Sequence, residues 1–89
     1  MGSSGKFKTE ILKETVVEWG EWDLNDILVL AKESCKGVSI YRVYSGKELD
    51  GEFSFVAEEY ASYDIERAIK YFFRLESQYP LERITRKIF

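Results

Sequence analysis

The chain has no histidine, a single cysteine and a single proline, and no apolar run long enough to cross a bilayer. Each gap excludes a class of chemistry. Without histidine there is no nucleophile–histidine pair, and the commonest general base near neutral pH is missing. One thiol, Cys35, makes no intramolecular disulfide and, with no histidine to help it, no zinc cluster. The start MGSSGKFK lacks the apolar segment of a secretory signal, and Lys6 stands where a myristoylation pattern wants Ser or Thr. Neither GxGxxG nor GxxxxGK[ST] occurs, so no phosphate-cradling loop is expected. These absences lead us to expect a cytoplasmic, membrane-independent protein with no cofactor, no metal and no enzymatic activity. Met1 to Gly5 read as a loose terminus or cloning remnant, and residues 6–89 as a single α+β domain.

The 89 residues are 45% apolar and 16% aromatic, which supplies one hydrophobic core and not two. The net charge of −3 is unevenly spread, with seven Lys/Arg against fourteen Asp/Glu in residues 1–66 and six against two in residues 67–89. A nucleic-acid-backbone binder would show a broad basic face instead. The cations Arg74, Arg83, Arg86 and Lys87 form a local anion or partner contact, or ordinary solvated charge.

The strongest pattern runs from Val38 to Phe73. VSIYRVYS and EFSFVAEEY read as two strands, Val38–Ser45 and Glu52–Tyr60, joined through GKELDG by a turn longer than the two-residue kind, with Gly46 and Gly51 at its ends. In the following stretch Ile65, Ala68, Ile69, Phe72 and Phe73 repeat at helical spacing, so a helix capped by Ser62 or Asp64 should bury that stripe and end before Pro80. Upstream, residues 7–19 read as a strand, and the doubled pairs Ile11-Leu12 and Val16-Val17 suggest a bulge or burial of both faces. Asp23 looks like an N-cap with Trp22 and Ile27 as a hydrophobic staple. Leu24, Ile27, Leu28, Ala31 and Cys35 would then line one helix face, Cys35 as a small buried hydrophobe, and Gly37 would close the helix in a left-handed cap. LERITRKIF reads as a charged edge strand. The resulting order, β-α-β-β-α-β, predicts an α+β ferredoxin-like fold, a four-stranded antiparallel sheet with two helices on one face.

Within this pattern GEFSFVAEEYASYDIERAI resembles the third strand and second helix of an RNA recognition motif. Phe53, Ser54, Phe55 and Val56 match four positions of that family's strand, and Ala68-Ile69 falls near the expected helix position. The resemblance implies base stacking on Phe53 and Phe55 from the open side of a sheet. Alternation argues for the other facing. If both phenylalanines pointed at solvent, Glu58 would point at the helices and carry a buried carboxylate, so Phe53 and Phe55 are expected in the core.

Acidic residues gather at the hairpin, namely Glu48, Asp50, Glu52, Glu58 and Glu59, and several tyrosines should fall partly outside the core. Carboxylates on a rigid domain can imitate a row of phosphates, and exposed tyrosines suit a protein interface. We therefore expect a small non-enzymatic module that regulates or inhibits a protein partner through Tyr41, Tyr44, Glu48, Asp50, Glu52 and Glu58. The alternatives are a single-stranded nucleic-acid binder of the recognition-motif kind, which the charge disfavours, and a small-ligand regulatory domain, for which a homodimer with paired sheet faces would speak.

Overall fold

Strand-forming residues dominate the chain, and the computed structural model places five strands in one antiparallel sheet. It describes residues 8–20 and 24–88, with the side chains of Ser54, Phe55 and Ile88 outside that description. β1 (Lys8–Val17), β2 (Asn25–Cys35), β3 (Val38–Leu49) and β4 (Glu52–Ser62) form a meander. The helix α1 (Ile65–Glu76) then returns across the sheet, a single 3-10 turn (Leu81–Arg83) follows, and β5 (Ile84–Ile88) pairs antiparallel with β1. The order across the sheet is β4-β3-β2-β1-β5.

This corrects the ferredoxin-like expectation in one element. Residues 25–35 form the central strand and not a helix, so the described chain carries five strands and one α-helix in place of four and two. The physical reason lies in the run Ile27-Leu28-Val29-Leu30-Ala31. Its apolar residues satisfy a helical stripe, but a strand buried on both faces needs the same unbroken run. Ile27, Leu28, Leu30 and Ala31 are each exposed by 2% or less, although they alternate between the two sides of the sheet. Lys36-Gly37 was ambiguous in the same way. Both residues have positive φ, 53° and 81°, which a two-residue hairpin turn demands as firmly as a helix cap does. The expected Trp22 staple and Asp23 cap, like the Met1 to Gly5 terminus, lie outside the described residues.

The β3–β4 connection is likewise tighter than expected. Asp50 (φ 53°) and Gly51 (φ 84°) make a two-residue turn, and Gly46 sits inside β3 opposite Ile27 and Val56. β1 carries the anticipated irregularity, a register shift between Ile11 and Lys13.

One side of the sheet receives the helix. Asp64 caps α1, its carboxylate accepting the Glu66 N–H at 2.9 Å. Ala68 and Phe72 from the stripe are buried against Leu28, Leu30 and Val43, with Leu12, Tyr41, Tyr60 and Ile69 around them. At the end of α1, Glu76 is only 3% exposed. Its carboxylate accepts the Thr15 hydroxyl at 2.7 Å and the Arg86 guanidinium at 2.9–3.1 Å, which ties helix, β1 and β5 together. Arg83 donates to the carbonyls of Glu18 and Trp19 at 3.2 and 2.9 Å and lies over the Trp19 ring. Two of the four C-terminal cations thus serve the fold.

Candidate functional site

Alternation along the strands defines the other side, which no described helix covers. Thr9, Ile11, Glu14 and Val16 of β1 share it with Ile27, Val29, Ala31 and Glu33 of β2, as the register pairs them. From β3 come Ile40, Arg42, Tyr44, Gly46 and Glu48, and from β4 Phe53, Val56 and Glu58. A strand pleat sends successive side chains to opposite faces, so these residues point away from α1.

At the middle of this face lies a hollow of about 180 Å³ lined by Ile11, Ile27, Val29, Tyr44, Ser45, Gly46, Phe53 and Val56. Gly46 is the reason for it. Its neighbours in register are Ile27 on one side and Val56 on the other, and a residue without a side chain between them leaves a dip in the sheet. Phe53 and Val56, 52% and 51% exposed, stand at its rim. An apolar cavity of about 150 Å³ accepts a benzene ring, so the hollow matches one aromatic or large aliphatic side chain.

Polar groups bracket the hollow. Arg42 sits between Glu33, at 2.7 Å, and Glu58, and these two carboxylates, Glu33 first, hold its guanidinium above its ordinary pKa. Tyr44 donates its hydroxyl to the second oxygen of Glu33 at 2.7 Å. Burial and that hydrogen bond push the Tyr44 phenol up to about 12, so it stays protonated and donates at neutral pH. At the other end Glu48 accepts from the Asn25 amide at 2.9 Å and from the Gly51 N–H at 2.7 Å.

The expected contact residues separate on this geometry. Tyr44, Glu48 and Glu58 share the open face, while Asp50 and Glu52 are exposed at the turn that ends it. Tyr41 does not join them, since it packs on the helix side against the core. Phe53 is corrected as well. It was expected under the helix but lies half-exposed on the open face, because β4 shifts register between the partners of Lys47 and Glu48, so that Phe53 shares its side with Val56 and Glu58. Glu58 does point away from the helix, and the Phe55 side chain lies outside the described residues. Ile27 and Val29 line the hollow because residues 25–35 form a strand where a helix is expected, and Gly46 does so because it lies inside β3 and not in the turn.

Among the described residues no cluster of three or more histidine, cysteine or acidic side chains could hold a metal ion, and no helix is long and apolar enough to cross a membrane. Cys35 is half-buried at the end of β2. Comparison with protein-family models, with curated proteins and with solved structures yields no match.

Proposed function

We propose that this chain is a small non-enzymatic binding module, acting in the cytoplasm, that docks on a partner protein through the helix-free face of its sheet. The observation that carries this reading is the apolar hollow at the centre of that face. Protein interfaces concentrate their energy in a few large side chains seated in desolvated pockets and surrounded by polar rims. Here the pocket is ready-made, and Phe53 and Val56 already expose apolar area around it. The rim is mainly acidic, with Glu14, Glu48, Asp50, Glu52 and Glu58 against Arg42, which two carboxylates neutralise. The fitting partner therefore presents an aromatic or leucine-sized side chain among basic residues, and its association is steered by charge.

The recognition-motif alternative loses its architectural basis with the second helix. What remains is a half-exposed phenylalanine on an acidic face, and phosphate backbones are repelled from such a surface.

Affinity capture from the native host with the parent protein and two variants tests the proposal. Phe53→Glu with Val56→Glu should abolish capture of any specific partner while leaving the fold intact, because both positions are half-exposed. Asp50→Lys with Glu52→Lys should weaken capture and slow association. A partner retained equally by all three proteins would remove the open face from the interface.

A further inference from the structure

On the flank of α1 that looks away from the hollow, the helix carries three cations on one side. Arg67, Lys70 and Arg74 line a cleft of about 300 Å³ together with Tyr60 and Tyr71. Tyr60 and Tyr71 stack face to face with ring centroids 4.6 Å apart and planes 7° apart, which fixes one wall. The cations stand three and four residues apart, over a helical rise of about 10 Å. Like charges at these spacings destabilise a helix. Among the described residues, neither Lys70 nor Arg74 has a carboxylate within ion-pair distance, and Arg67 reaches only Asp64, at 3.8 Å on the exposed surface. Arg83 and Arg86 satisfy carbonyls and a buried carboxylate elsewhere in this molecule, so the bare cations of α1 are not the rule for its C-terminal third.

We infer that this cleft is an anion site that takes the phosphate chain of a small polyphosphate-bearing ligand. Two guanidinium forks favour phosphate oxygens, which they grip in a bidentate manner, over the single contacts a row of peptide carboxylates would offer. The lysine ammonium adds a compact charge between them, and the stacked rings of Tyr60 and Tyr71 form the wall. The site is separate from the open sheet face, and its fate does not depend on the partner-docking proposal.

Calorimetric titration of the full chain in dilute buffer tests the site with tripolyphosphate, ATP and a hexaglutamate peptide. Tripolyphosphate and ATP should each bind with one-to-one stoichiometry, at least tenfold tighter than hexaglutamate, and both should weaken steeply with added salt. Lys70→Gln and Arg74→Gln should each weaken tripolyphosphate at least fivefold. Lys87→Gln, which removes an exposed cation of β5 outside the cleft, should leave it unchanged. Thermal melting of Lys70→Gln at or above the parent midpoint separates lost binding from lost folding. Absence of saturable binding, equal weakening by Lys87→Gln, or tighter binding of hexaglutamate would overturn the assignment.

Discussion

Glu76 shows how one charged side chain organises three elements. Burial by itself pushes its carboxyl pKa up, but the hydrogen bonds from Arg86 and Thr15 outweigh that and hold it below its ordinary value of 4.5. A carboxyl with a depressed folded-state pKa stabilises the fold fully above the ordinary value and loses that contribution as pH falls below it. Glu76→Gln keeps the shape and removes the charge. In denaturant titrations the parent should therefore exceed this variant clearly at pH 7, and the gap should narrow at pH 3. A gap that stayed constant between the two would show that the Glu76 charge does not support the fold. Tyr44 makes the complementary point on the open face, where its hydroxyl is tied to Glu33 and its ring is left to line the hollow.

The meander depends on its turns as much as on its strands. Gly37 at φ 81° has nothing within 4 Å of where a Cβ would stand, so Gly37→Ala should cost only the backbone strain of the left-handed region, about 1–2 kcal/mol. Lys36→Asn, which suits the adjacent positive φ of 53°, should raise the thermal midpoint of the parent. An unchanged midpoint for Gly37→Ala would mean that the turn is not held in this form. The same turn explains what could be read from the residues and what could not. β1, the β3–β4 hairpin, α1 and the edge strand β5 each form as the type of element their patterns predict, although the hairpin turn is tighter than expected and the α1 stripe buries Ala68 and Phe72 while leaving Ile65 and Phe73 exposed. β2 does not, because five consecutive apolar residues fit a helix stripe and a doubly buried strand equally well, and its Lys-Gly ending serves both. Only the pairing of β2 with β1 and β3, a long-range fact, decides between them. The site suffered from the same ambiguity. Tyr44, Glu48 and Glu58 were recognisable from composition and alternation, whereas Ile27, Val29 and Gly46 acquire their place only once β2 is a strand. The register shift opposite Lys47 and Glu48 puts Phe53 on the other side from the one strict alternation assigns it.

Taken together, the molecule is asymmetric in cover and in charge. One helix closes one side of a five-stranded sheet, and the opposite side keeps an apolar centre within a mainly acidic border. A single helix buries a single face, so losing the expected second helix alters the fold class while leaving the other face of the sheet without a helix among the described residues. Six of the thirteen Lys/Arg lie in residues 67–89 against two acidic residues there, three of them along the cleft of α1, so the proposed anion site and the proposed docking face differ in charge. Site-specific photo-crosslinking in the native host tests the docking face most directly, with the reactive side chain placed at position 53, 56 or 66. Positions 53 and 56 border the hollow, whereas position 66 is exposed on the helix. Docking through the open face predicts the same discrete protein adduct from 53 and 56 and none from 66; an adduct from 66 with none from 53 or 56 would contradict it.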